Sequence, residues 1–378
     1  MKLLITLLIL TSFLTLYSVF GQSNKKVYLT IKNSSGWDRK EVITIPWQNI
    51  LAKYPGIDTA NFKIINEAKK SELVFQLEHL GKSEIQNLLI QVDVKAYNPQ
   101  KLSIQKGKPL VFPSKTYARY VPERKDDFAW ENDKIAFRMY GKALEETKEN
   151  AYGIDVWVKS TQRLVLNERY KRGQYHIDHG DGLDYYHVGF TLGAGNMAPY
   201  INDTIRYSKN YIQWKVLDNG PLRTTFQLDF AEWDIPGDKV ILSRIISLDA
   251  GSQLNKVTSI YSFSSEKPMP VVAGIIKRKD AGKIMLDEQA GIMSYWEPQN
   301  NKHGITAVGC IFPAPIKMMK INKEQLLTET EVNNSSPFIY YTGAAWDKAG
   351  IILHAEDWQK YLIHFKKNIE TPLLVIFE

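Results

Sequence analysis

The sequence predicts an all-β protein in which two large antiparallel sheets pack face to face behind a smaller β-sandwich, with few helices. Three observations carry this. Short runs rich in Val, Ile, Leu and aromatics alternate with Gly, Pro, Asn and Ser clusters. Longer apolar runs come in pairs around turn sequences. Helical spacing of apolar residues stands out in one place, near the C-terminus.

In chain order, 26–32, 41–45, 72–77 and 88–95 read as short strands of the smaller sandwich. Between Tyr97 and Ser114 the chain turns to Asn-Pro, Gly-Lys-Pro and Phe-Pro-Ser, a poor setting for a central strand, which places a domain boundary at Ser114. The units are then 22–114 and 115–378. In the second, 211–217 and 222–230 flank Asp218-Asn219-Gly220-Pro221, a hairpin in which Asn-Gly favours positive φ. The runs 239–248 and 254–263 repeat the plan around Asp249-Ala250-Gly251-Ser252. Trp358, Leu362 and Phe365 mark one surface helix over 357–367, before a last strand at 373–377.

Apolar residues at 44% and aromatics at 12% supply a sizeable core and exclude general disorder. The formal charge of +7 is spread along the chain without a dense basic run or a nucleic-acid module, so nucleic acid is excluded as the main partner. From charge alone that excess reads as serving solubility, the competing reading being attraction of an anionic small substrate. Met1-Lys2, the apolar stretch 3–20 and Ser18-Val19-Phe20-Gly21 read as a secretory signal peptide over 1–21, the alternative being a single membrane anchor. No cysteine stands near the cleavage region for lipid attachment. The expectation is an exported, periplasmic protein with no stable membrane insertion. Cys310, the only cysteine, excludes an internal disulfide and reads as a buried strand residue.

Two stretches carry chemistry. The first, Arg119 to Asp133, holds Arg124, Asp127, Trp130, Glu131 and Asn132 and leads into a strand bearing Arg138. Arginine grips a carboxylate through two parallel hydrogen bonds and aromatic faces stack on sugar rings, so the mixture suits an acidic carbohydrate; the competing reading is an internal ion-pair network. The second, YHIDHGDGLDYYH from Tyr175 to His187, packs three of the seven histidines with three aspartates and three tyrosines. His176 and His179 offer imidazole bases beside carboxylates, and Tyr186 a phenol for proton donation. Gly180 and Gly182 permit a tight turn that brings substrate close to the backbone. Tyr185, Tyr186 and His187 also fit a strand with alternating burial that continues through Val188-Gly189-Phe190. A metal held by His176, Asp178, His179, Asp181 and Asp184 is the rival chemistry, but the spacing matches neither the zinc helix nor the calcium loop, so no metal and no cofactor are expected.

The stretches VPERKDDFAWENDKIAFRMYG and YHIDHGDGLDYYHVGFTLGAG resemble the secreted bacterial family of ulvan oligosaccharide dehydratases, domain-of-unknown-function family 4861. The resemblance runs over most of the chain. The hairpins at 219–223 and 247–251 are similar to those of galactose-mutarotase-like supersandwiches. The implied activity removes water from the non-reducing-end uronic acid of an anionic oligosaccharide, giving a 4,5-unsaturated uronate. On that reading Arg124, with Arg138 and Asn132, offsets the uronate charge. His176 is the base, and Tyr186 or His179 the acid. Trp130 and Glu131 orient the sugar, with Asp127 and Asp184 as further binding groups. A polysaccharide lyase, a non-catalytic glycan-binding module and an epimerase are the alternatives.

Overall fold

The computed structural model describes residues 26–378; the expected signal peptide lies outside the described residues. Among these, no helix is long and apolar enough to cross a membrane. The first strand, Lys26–Lys32, shows how the pattern folds: Val27, Leu29 and Ile31 are buried while both terminal lysines are exposed. It pairs with Gln100–Lys106 in a five-stranded sheet that also holds Phe62–Asn66 and Ser71–Glu72. A three-stranded sheet of Arg39–Pro46, Asn87–Val94 and Phe75–Glu78 closes the sandwich. Helix α1, Trp47–Lys53, follows Pro46 directly and drops Trp47 and Ile50 into the shared core.

The fifth strand of the first sheet comes from the far end of the chain. Leu374–Phe377 pairs antiparallel with Lys26–Lys32, Phe377 opposite Leu29. The sequence reading gives this strand to the larger unit. Local pattern announces a strand but not its partner, and here Leu373, Val375 and Phe377 cover an otherwise open edge of the smaller core.

The larger unit has an eight-stranded sheet in the order Gln213–Asn219, Arg223–Ile235, Asp238–Asp249, Leu254–Ser262, Pro337–Trp346, Thr306–Ile311, Ile292–Trp296, Lys283–Asp287. Facing it are a five-stranded sheet centred on Met269–Ile276 and a four-stranded sheet in the order Asp155–Trp157, Ala136–Met139, Asp127–Asn132, Thr116–Val121. Between the layers lies one large core containing Phe128, Trp130, Phe137, Phe226, Leu228, Ile246 and Tyr261. Each such side chain contributes about 1.5–3 kcal/mol on full burial. Both expected hairpins form. At the first, however, neither Asn219 nor Gly220 takes a positive φ. Gly220 is needed for space, since a Cβ there would stand 2.3 Å from the Gln76 amide carbon. The Gln76 carbonyl oxygen accepts from the backbone of Leu222 at 3.0 Å and Arg223 at 2.8 Å, so the smaller sandwich itself caps this turn.

Helix α2, Leu166–Arg172, was not legible from periodicity; Gly173 ends it in the left-handed region. Helix α3, Ala355–Glu370, lays Trp358 and Leu362 on the outer face of the eight-stranded sheet. Cys310 is buried in its strand against Thr342, and burial pushes its thiol up to about 12. The segment 185–190 alternates in burial as expected but pairs with no strand.

Candidate active site

Strand alternation sorts the first chemical stretch into two faces. Along Asp127–Asn132, Phe128 and Trp130 point into the sandwich core, while Asp127, Ala129 and Glu131 point the other way. Register then sets Arg138 beside Ala129 on one side and Asp155 on the other. The outer face of this sheet is therefore a strip of charged side chains, roofed by α2 and by the Tyr175–Tyr186 segment.

At one end of the strip, Arg138 is held by three carboxylates: Asp155 at 2.5 Å, Asp184 at 3.0 Å and Asp127 at 3.4 Å. Its guanidinium lies 4.9 Å from the ring centroid of Tyr140 and 5.0 Å from that of Trp157. Arg124 approaches Asp127 at 3.8 Å from the solvent side. Two guanidiniums thus face three carboxylates, and the mismatch falls on the acids. Burial, opposed by Arg138 and Arg124, raises Asp127 to about 6. Burial and then Asp155 push Asp184 well above the carboxylate range. Burial works against the Arg124 charge, but Asp127 and the Tyr175 hydroxyl hold it above its ordinary value. Arg124 Nη1, Asp127 Oδ1 and Arg138 Nε are buried without a hydrogen-bond partner.

Tyr175 links this cluster to the histidines. Its ring stacks on Trp157 at 4.8 Å, its oxygen accepts from Arg124 Nε at 3.2 Å, and its ring centroid lies 4.6 Å from that of His176. His176 Nδ1 lies 2.8 Å from the Asp184 carbonyl oxygen, which can only accept. In the neutral ring the proton therefore sits on Nδ1 and Nε2 is the acceptor, on a side chain that is 66% exposed. Arg124, Tyr175 and His176 form one group open to solvent: a cation, a phenol and an oriented imidazole.

Other expected site residues lie elsewhere. Trp130 is fully buried and donates from Nε1 to Asn255 at 2.7 Å, leaving no face for a sugar. Glu131 is buried against Lys159 at 2.6 Å and accepts from the backbone of Val165 and Leu166, anchoring the start of α2. Asn132 is buried too and donates to the carbonyls of Asp249 and Ser252. Tyr186 is 2% exposed, its hydroxyl turned to the Gly193 carbonyl and its ring under Arg278, so it meets no substrate. His179 is exposed on the loop. Gly182 serves a close approach to the protein's own backbone, since a Cβ there would stand 2.2 Å from the Val158 carbonyl. The rival metal set is dispersed: Asp178 accepts from Gly180 and Gly182 amides, Asp181 pairs with Arg169 and Arg172, and Asp184 with Arg138. Sequence reasoning missed Tyr175, although it opens the histidine stretch. It also missed Asp155, whose setting in Gly153-Ile154-Asp155-Val156-Trp157 carries no local signal, and Glu149, 3.6 Å from Arg124 at the rim.

The sequence profile of the family described as domain of unknown function DUF4861 matches residues 31–375. The chain belongs to this family. Another similar chain, "Uncharacterized protein P7" of Formosa agariphila, is 29% identical over 382 residues, covering 94% of each. Among solved structures, a protein in glycosyl hydrolase family 38 from Enterococcus faecalis superposes with a TM-score of 0.54 at 8% identity. That match covers 93% of this chain and 47% of the other, so this DUF4861 protein spans about half the length of the structure it matches. The likeness fixes the fold, a galactose-mutarotase-like sandwich.

Proposed function

We propose that this protein is a carbohydrate-active enzyme that eliminates water from the terminal uronic acid of an anionic oligosaccharide, of the ulvan type that the family resemblance implies. One observation carries the reading: Arg124, Tyr175 and His176 meet at an accessible surface, with the imidazole tautomer set for proton abstraction. A uronate's C5 proton is a poor acid until its carboxylate charge is offset. Arg124, whose side chain reaches the surface, supplies that charge. His176 Nε2 takes the C5 proton; the C–H electron pair forms the C4–C5 double bond as the C4–O bond breaks. Because the Tyr175 oxygen already accepts from Arg124, its own proton is free to meet the departing hydroxide and leave with it as water. The proton on His176 then returns to Tyr175 through solvent.

The test is direct. Given uronate-ended oligosaccharides, the purified protein is expected to generate the ultraviolet absorbance of a conjugated unsaturated uronate, with loss of one water by mass and no shortening of the chain. Shortened chains would make it a lyase, and unchanged mass with inverted C5 an epimerase. Tight binding of a substrate that stays intact would make it a binding module.

A further inference from the structure

A cavity of about 680 Å³ lies between the smaller sandwich, the outer face of the eight-stranded sheet and α3. Small-ligand sites span roughly 300–1,000 Å³ and concentrate at such junctions. Register builds its floor, because Ser247, Lys256 and Tyr341 are cross-strand neighbours in one row, with Arg223 and Asp249 paired farther along. Arg39 and Glu41 of the smaller sandwich and His364 and Asn368 of α3 form the facing wall.

Two of the cations here are already committed. Arg39 grips Glu41 from Nε at 3.1 Å and Nη2 at 2.8 Å, and donates to the carbonyls of Thr371 and Asn368. Arg223 grips Asp249 through two nitrogens and reaches Glu78 at 3.3 Å, tying the two sandwiches together. Such forked clamps neutralise their own charge while leaving carboxylate lone pairs able to accept further hydrogen bonds. Lys256 differs. It is exposed at the cavity floor and makes no hydrogen bond or ion pair among the described residues. A wall of acceptors around the Lys256 ammonium, with the exposed and likewise unpaired Lys40 on the smaller-sandwich side, suits a molecule with several hydroxyls and a carboxylate.

We propose that this cavity is a second binding site, for an acidic sugar, in which Lys256 pairs with the sugar's carboxylate while Glu41 and Asp249 accept from its hydroxyls. The site lies on the outer face of the eight-stranded sheet, whereas Arg124 and His176 lie over the outer face of the four-stranded sheet across the core. No single sugar spans the two. The proposal rests on the chemistry of the cavity and not on the elimination reaction, so either can fail alone.

Calorimetry separates them. In full-length protein carrying Arg124→Gln, which disables the first site, glucuronate is expected to bind still. Adding Lys256→Met should weaken it about tenfold or more, the scale of a lost charge-assisted hydrogen bond, whereas Lys256→Arg should retain it. Glucose, lacking the charge, and sulfate, lacking the hydroxyls, should each bind more weakly than glucuronate. Because the Lys256 ammonium makes no hydrogen bond or ion pair among the described residues, while burial and Arg223 disfavour its charge, the Met variant should fold with a melting temperature at or above that of the parent. Equal glucuronate affinity with and without Lys256→Met would overturn the proposal. So would loss of all binding in Arg124→Gln, or sulfate binding as well as glucuronate.

Discussion

The two ends of the charged strip on the four-stranded sheet both set buried acids against bases, with opposite fates. At one end, Glu131 spends both oxygens on Lys159 and on the backbone of Val165 and Leu166; that end is sealed. At the other, three aspartates share two arginines, three buried polar atoms are left without partners, and the cluster opens to Tyr175 and His176. A buried ionic network that closes on itself is architecture. One whose carboxylates outnumber its cations, beneath a half-buried Tyr175 and an exposed His176, is a candidate site for a ligand.

Ways to break this contrast run from stability to fine tuning. Glu131→Leu strands the Lys159 ammonium in a buried site, and removing one partner of such a pair costs about 3–5 kcal/mol. Denaturant unfolding should show that loss, and restore much of it when Lys159→Met is added; a single-variant cost near zero would mean the sealed end is not sealed. At the open end the sign is set by pH. Asp127 is raised from 3.8 to about 6, so its stabilising share is complete below about pH 4 and is lost as the pH climbs through 6. Against Asp127→Asn, the wild type should lose up to about 3 kcal/mol over that window. Parallel stability curves for the two proteins would contradict the assignment.

His176→Ala should lower turnover about a hundredfold or more with an unchanged unfolding midpoint, because the ring is mostly exposed. Near-normal rates would move the base elsewhere. Tyr175→Phe keeps the stack on Trp157 and deletes the proton, so kcat should fall while KM holds. The smallest effect belongs to Glu149, which competes at the rim for Arg124: Glu149→Gln should tighten binding of an anionic sugar only a few-fold, and less at high salt.

The strand plan was legible because period-2 burial is a local property: Lys26–Lys32 and both long hairpins follow from it. The partner of Leu374–Phe377 was not, since pairing is decided by an edge on the far side of the chain. The site divided along the same line. Arg124, Asp127, Arg138, His176 and Asp184 announce themselves by density of charge, and the fold brings them together. Trp130 and Tyr186 sit among them in sequence, yet alternation and an irregular turn send them into the core. Face was readable in principle for Trp130, two positions from Phe128 on the same strand; Asp155 needed register, which no local motif encodes.

The proposed elimination requires the open end to remove a proton from the carbon beside a sugar carboxylate. Single-turnover rates with a uronate-ended oligosaccharide deuterated at C5 test it most directly. The deuterated substrate is expected to react several-fold more slowly and its product to contain no deuterium. Equal rates, or a product that keeps its deuterium, would contradict it.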